Sequence, residues 1–440
     1  MHKILTLLFL LLASNSFAAN NIKITNWQEN ATLNESGKNS EILIQAKISG
    51  LAPQFGITSF SLGFDPTQKI NITKVVCDNK PADFQFSQNN LTVKFPKAKK
   101  NNDTVWIYFS FDETYDRINK FLREEAVIIP AFAVGAEAKV AINFAQNLES
   151  ATLNTHVKKE PNRFLYSNIV PENGVMEIVK LTPAESFWDI AVEVKVASTK
   201  PLGQISFSFP DYFQSPQQKV ENYSIATNAT ALSQKTEARR RKFSFNSKAQ
   251  EITIQNRAKI STGKAFRQPY ALDKNKYLSV TPEDKILLTP LLERIKTDPK
   301  YSELPLYAKI GQYVHDYIKY DKSYMGRLPK INEILSNKVG VCTEYANLFN
   351  SLARTANIPS IAIHGGACGE FNICEGHSWN LIFVDNSWIQ VDPTWNLMSG
   401  IVSSSHVYLN DEDNDEVSSE YRDTGAQVTS NIELHMKNLF

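Results

Sequence analysis

Three residue types that cooperate in thiol chemistry stand in one stretch of the chain, in the order Cys342, His377 and Asp392. Cys342 follows Gly-Val and opens a run in which Cys342, Tyr345, Ala346, Phe349, Leu352, Ala353 and Ala356 recur every three or four residues. That spacing predicts one apolar face of a helix, stopped by Asn357-Ile358-Pro359. A cysteine in the first turn of a helix lies beside unpaired N–H groups and the positive end of the helix dipole, which pull a thiol pKa from about 8.5 towards neutrality. The thiolate is the nucleophile. An imidazole whose second nitrogen is held by a carboxylate has a fixed tautomer and can serve such a cysteine as general base.

The elements that must position these groups are legible as a helix and a hairpin. From 377 to 384 the residues His377, Trp379, Leu381 and Phe383 alternate with Ser378, Asn380, Ile382 and Val384, and 388–392 alternates in the same way. Asp385-Asn386 tolerates positive φ and suits a two-residue turn. That turn sets Val384 opposite Ser387 and Phe383 opposite Trp388, and brings Asp392 opposite Trp379, on the face of His377. A three-residue turn would move Asp392 to the other face, so the triad requires the even register.

The pattern G-V-C-x-x-Y-A-x-L-F, L-A-R-x-A-x-I-P, H-S-W-N and W-I-x-V-D-P-T-W-N resembles the core of the transglutaminase-like superfamily, the papain-like-fold cysteine enzymes, over roughly 300–410. It is closest to the secreted and peptidase-type members. The resemblance implies an α+β catalytic domain without a cofactor or metal, acting on a protein or peptide through a thioester. It makes Cys342 the nucleophile, His377 the base and Asp392 the residue that orients it. Animal members place an oxyanion-binding tryptophan upstream of the cysteine, but no Trp lies between Trp188 and Cys342. Tyr320, with the N–H of Cys342, is the candidate in its place. The departure favours hydrolysis, as a peptidase or amidase, over acyl transfer from glutamine to an amine. The reading from another class is a surface-binding protein with a vestigial triad.

At 440 residues the chain is long enough for two or three domains, and 42% apolar against 21% charged residues marks it as globular. A net charge of +1 argues against a dedicated nucleic-acid binder. Residues 1–18 have the basic start, short apolar core and small-residue end of a signal peptide, which predicts a secreted or periplasmic protein; no later stretch is long enough for a transmembrane segment. Export permits a disulfide, and Cys368 and Cys374, six positions apart, are the candidate pair. Cys342 would stay free and Cys77 buried. The rival reading, zinc on Cys368, Cys374 and His377, consumes the histidine the triad needs and lacks a fourth ligand.

The rest of the chain predicts the scaffold. Residues 19–158 and 159–265 read as two tandem β-sandwich-like domains of short strands, with weakly repeated motifs and a boundary near 158–161. Their surfaces are candidates for binding a surface protein or glycan. Arg239-Arg240-Arg241-Lys242 reads as a solvated hairpin loop. A linker at 261–270 leads to the catalytic domain at 275–410, with helices at 282–296 and 306–320 packed around the Cys342 helix. His315 and His364 read as structural. Residues 411–440 form an acidic tail, with a strand where Ile432, Leu434 and Met436 alternate.

Overall fold

The computed structural model describes residues 21–439 except 35–36, 65, 67, 115–119, 130–136, 154–156, 161, 170–174, 211–217, 238–239, 264–271, 328, 370–372, 413–417 and 422–427. The signal-peptide stretch at 1–18, most of the expected linker, Arg239 and most of the acidic run therefore lie outside the described residues. Among the described residues the chain is rich in β structure, with its helices in the later part. It divides into two compact units. One comprises Met1–Ile118, Arg123–Glu149 and Asn154–Val179; the other comprises Asn119–Leu122, Ser150–Leu153 and Lys180–Phe440.

In the first unit, strand Gly37–Ile48 lies between Ile22–Leu33 and Thr104–Thr114, antiparallel to both, within an eight-stranded sheet. Ile42, Ile44, Ala46 and Ile48 are all buried, so the period of two seen in the sequence is one core face. A second sheet, Ile57–Gly63, Asn90–Lys99 and Phe84–Ser87, adds Phe60, Leu62, Leu91 and Val93 to the interior. Strand Arg163–Ile169 pairs with Glu137–Asn143 in the eight-stranded sheet. A boundary at 158 assigns 163–169 to the next domain. Its buried Phe164 and Tyr166 mark a half-buried strand but carry no sign of which sheet it joins.

In the second unit, two of the four-stranded sheets pack on each other. One runs Gln218–Thr227, Glu251–Gly263, Glu185–Ser198, Val428–Asn438; the other runs Thr230–Glu237, Arg240–Ser247, Gly203–Pro210, Ser418–Tyr421. Val194, Val196, Ile252 and Ile254 of the first meet Ile205, Phe207, Phe209, Phe243 and Phe245 of the second in one buried cluster. Full burial of each such side chain contributes about 1.5–3 kcal/mol, so this cluster is what holds the sheets face to face. The strand expected around 432–436 forms, but it pairs with Glu185–Ser198 and so completes a β sheet that begins more than two hundred residues earlier. The expected final strand thus belongs to this β sheet, and the helical segment lies, in chain order, between strands of the same sheet. Arg240 to Lys242 likewise open a strand instead of forming a loop, and the Arg241 guanidinium stacks 3.7 Å from the Tyr223 ring centroid.

Between these β segments lies the helical layer. Helix α1 (Pro282–Thr297) starts where the Thr281 hydroxyl accepts from the Asp284 N–H at 3.1 Å, with Pro282 in the first helical position. Helix α2 (Leu306–Tyr317) stops three residues short of the expected end. Ile318 turns extended and Lys319–Tyr320 pairs in parallel with Val339–Gly340, so a strand contact overrides the helical periodicity. Helix α3 (Ile331–Asn337) leads to that short strand, and helix α4 (Cys342–Thr355) follows it directly. The helices cover a sheet in the order Ser387–Val391, Cys374–Val384, Ser360–Cys368, Val407–Asp411. Ile382 and Val391 join Leu292, Val314, Phe349 and Leu352 on the helical side. Ile361, Ile363, Trp379 and Leu381 fill the opposite face.

Candidate active site

Cys342 is the first residue of α4. Val341 before it is extended, and its N–H donates to Glu344 Oε2 at 2.6 Å, so the first turn folds back on its own entry. Gly340 is required there by space: a Cβ on it would stand 2.5 Å from Glu344 Cβ. The apolar face read from the sequence is the buried one, with Tyr345, Ala346, Phe349, Leu352 and Ala353 all interior, and Asn357 closes the helix at φ +59°.

His377 and Asp392 come from the hairpin Cys374–Val384 and Ser387–Val391. Asp385 and Asn386 both take positive φ, at 47° and 59°, which is the two-residue turn. Val384 pairs with Ser387, Phe383 with Trp388 and Asn380 with Val391. Asp392 follows in that register and leaves the strand to bridge Leu397. Its Oδ2 accepts from His377 Nε2 at 3.0 Å, and its Oδ1 accepts from the N–H groups of Thr394 (2.8 Å) and Trp395 (3.3 Å). With Nε2 committed, Nδ1 is the nitrogen left for Cys342, to which His377 is also hydrogen-bonded. Cys342 and His377 each keep 8% exposure while Asp392 keeps none, so of the three only Cys342 and His377 reach the surface.

The electrostatics follow from that arrangement. Burial pushes the Cys342 thiol up, but the hydrogen bond and charge of His377, with the Ser378 N–H, outweigh it and leave the thiol below its ordinary 9.0. Burial likewise works against a charged His377, yet the Asp392 carboxylate and the two hydrogen bonds lift the ring to about 10. The same partners, against burial, hold Asp392 far below the usual carboxylate range. Each shift favours the charged form of its group: thiolate at Cys342, imidazolium at His377 and carboxylate at Asp392. Cys77, by contrast, is pushed by burial and the neighbouring Asp78 up to about 11, which disfavours its thiolate.

Residues 292–393, which contain all three groups, match the family model described as the transglutaminase-like superfamily. This segment is a transglutaminase-like domain. No curated protein matches the chain. Among solved structures, the chain is similar to a candidate cysteine protease from Cytophaga hutchinsonii, at 15% identity and a TM-score of 0.40, over 58% of this chain and 91% of that one. It is also similar to an M1 zinc metallopeptidase from Deinococcus radiodurans, at 7% identity and a TM-score of 0.27, over 42% of this chain and 45% of that one. Leukotriene A4 hydrolase from Saccharomyces cerevisiae aligns at 13% identity and a TM-score of 0.27, over 38% of this chain and 30% of that one. Likeness at these levels carries no chemistry from one chain to another.

Around the triad, the transglutaminase-like domain places further groups. Tyr320 pairs with Gly340, two residues before Cys342, and burial together with the Cys342 charge raises its phenol above the ordinary 10.0, so it stays a donor. Trp395 stacks on His377 with ring centroids 4.7 Å apart. His315 Nδ1 lies 3.2 and 3.1 Å from the carbonyl oxygens of Pro393 and Thr394 and ties α2 to the turn after Asp392. His364 Nδ1 meets Ser378 Oγ at 2.8 Å. Cys368 and Cys374 face each other at the loop end of strands Ser360–Cys368 and Cys374–Val384 and are joined by a disulfide, which removes both sulfurs from any zinc set.

One group that sequence reasoning missed touches the triad directly. His406 Nε2 lies 3.2 Å from Asp392 Oδ2, on the oxygen that also receives His377. It follows Ser403-Ser404-Ser405 with no periodicity or motif to mark it, and only the fold brings it in. His377, Asp392 and His406 offer three ligand atoms within 4.8 Å of one another, but those atoms are already spent on mutual hydrogen bonds.

Proposed function

We propose that the transglutaminase-like domain is a thiol hydrolase, a peptidase or amidase, that works through a thioester on Cys342. The observation that carries this reading is the Cys342–His377–Asp392 geometry: a thiol at a helix start, an imidazole on it, and a buried carboxylate 3.0 Å behind the imidazole. Thiolate attack forms the C–S bond, and the carbonyl electrons become an oxyanion. The first-turn N–H of Cys342 and the Tyr320 hydroxyl are the donors available to it. His377 then gives its proton to the departing amine as the C–N bond breaks. For hydrolysis, a water loses a proton to His377, attacks the thioester carbonyl and expels the thiolate. With an amine in place of the water the same steps transfer the acyl group. Export, division into further β domains and recognition of a surface protein or glycan by them belong to the same proposal, on the sequence grounds given above.

The test incubates the protein and its Cys342→Ala variant with proteome-derived peptides, with and without a primary amine. Hydrolysis yields new peptide termini that depend on Cys342. Amine incorporation instead would assign transfer. Neither product, together with a Cys342 that titrates as an ordinary thiol, would refute enzymatic action and leave the binding module.

A further inference from the structure

We propose that His406 is a positioning residue of this site, holding the Asp392 carboxylate in the plane that His377 needs. The inference rests on the thiol-enzyme reading above. His406 is fully buried at its side chain, as is Asp392. Its Nδ1 lies 3.1 Å from the Ser403 carbonyl oxygen and its Nε2 lies 3.2 Å from Asp392 Oδ2. Both partners only accept. Burial and the nearby His377 keep the ring below its ordinary 6.5, so it carries one proton near neutral pH. The carboxylate is the stronger acceptor, so that proton sits on Nε2 and is donated to Asp392. Among the described residues, the titratable groups acting on His406 are Asp392 and His377; the Trp379 and Trp395 rings complete its walls at 5.0 and 4.8 Å.

The ring is not free to follow the carboxylate, because its turn is fastened from outside the catalytic sheet. Ser403 Oγ donates to the Phe121 carbonyl at 2.7 Å. The Ser404 N–H donates to Thr182 Oγ1 at 2.8 Å, and the Ser404 carbonyl accepts from Trp188 Nε1 at 3.3 Å and from the Thr262 hydroxyl. Within the catalytic sheet itself, Ser405 Oγ accepts from the Cys368 N–H at 3.1 Å. Trp188 and Thr262 belong to strands Glu185–Ser198 and Glu251–Gly263, so a β sheet sets His406, and His406 sets Asp392. Sharing Oδ2 between two imidazoles also divides the carboxylate's charge, which restrains how strongly His377 holds its proton.

The test compares wild type, His406→Leu and His406→Gln by the rate of Cys342 alkylation with iodoacetamide across pH, with folding checked by circular dichroism. His406→Leu should lower the plateau rate about tenfold and move the alkaline limb, near pH 10 in wild type, upward, because Asp392 then gives its whole charge to a poorly oriented His377. His406→Gln, whose terminal amide N–H can reach Asp392, should restore the plateau to within about threefold. Should His406→Leu fail to fold, His406→Asn takes its place, since its shorter amide does not reach the carboxylate. A donor-less variant with the wild-type plateau overturns the proposal. So does His406→Gln matching His406→Leu, which would make the ring packing only. A wild-type Cys342 that reacts as an ordinary thiol is a different failure: it removes the thiol-enzyme reading, and this inference with it.

Discussion

Asp392→Asn changes one oxygen to NH2 with almost no change of shape, and the hydrogen-bond inventory says it should disable the thiol. Asp392 accepts four hydrogen bonds, two at each oxygen. An amide offers one oxygen. If that oxygen stays on the Thr394 and Trp395 N–H groups, the new NH2 meets both imidazoles. His377 Nε2 must then accept, and its proton moves to Nδ1, where it faces the thiol instead of taking its proton. If the amide flips, two buried backbone donors lose their partner, at about 1–3 kcal/mol each. The charge is lost either way. Unit charges 3.0 Å apart attract by about 5 kcal/mol at an effective dielectric of ~20, an upper figure because burying the ions offsets part of it. Without that attraction burial drives His377 down, and the imidazolium that holds Cys342 low is gone. The Cys342 thiol then rises towards its ordinary value, and its thiolate fraction near pH 6 falls. Iodoacetamide labelling near pH 6, followed by peptide mass spectrometry, reads this directly, with buried Cys77 as the reference. Labelling of folded Asp392→Asn within about threefold of wild type would refute the argument that the carboxylate's charge sets the thiol.

Three further outcomes are expected. One glycine inserted between Asp385 and Asn386 shifts the register of Ser387–Val391 by one residue and turns Asp392 away from His377, so it should abolish labelling at about pH 6 while the helical signal in circular dichroism persists. Gly340→Ala drives a Cβ to 2.5 Å from Glu344 Cβ, and should cost about 1–3 kcal/mol in denaturant unfolding while slowing the thiol by displacing the start of α4. The buried pair should also set a stability window. Asp392, depressed, contributes stability that is complete above its unfolded pKa of about 3.9 and is lost as acid approaches its folded value; His377, raised, contributes stability that is complete below about 6.5 and is lost as pH rises through about 10. Melting temperature against pH should therefore fall towards both ends, and Asp392→Asn should flatten the alkaline fall.

The parts of this site that were legible in the sequence are those fixed by local chemistry. The α4 face follows from a 3.6-residue period, and its stop from Asn357, which takes the left-handed conformation. The hairpin register follows from two residues, Asp385 and Asn386, that accept positive φ. His406 was not legible because nothing local selects it; its place comes from Thr182, Trp188 and Thr262, which lie far back in the chain. The end of α2 was missed for a related reason: Ile310, Val314, Tyr317 and Ile318 keep helical spacing, but the Lys319 N–H finds the Lys338 carbonyl at 2.8 Å. The repeated β motifs do not record which strands pair. Leu91-Thr-Val pairs with Ile57–Gly63, whereas its look-alike Ile252-Thr-Ile pairs with Glu185–Ser198, because alternation records a buried face and not a neighbour.

The pairing of Glu185–Ser198 with Val428–Asn438 has a kinetic consequence. It joins residues about 240 positions apart, and closing so large a loop delays this contact relative to the local turns of α1 to α4. The helices and the Cys374–Val384 hairpin can form while the β strand that carries Trp188 still lacks its outer neighbour. Trp188 in turn grips the turn that precedes His406. During refolding the nucleophile should thus be present on a formed helix before its carboxylate is locked, and the competence of the thiol should return later than the bulk of the helix signal.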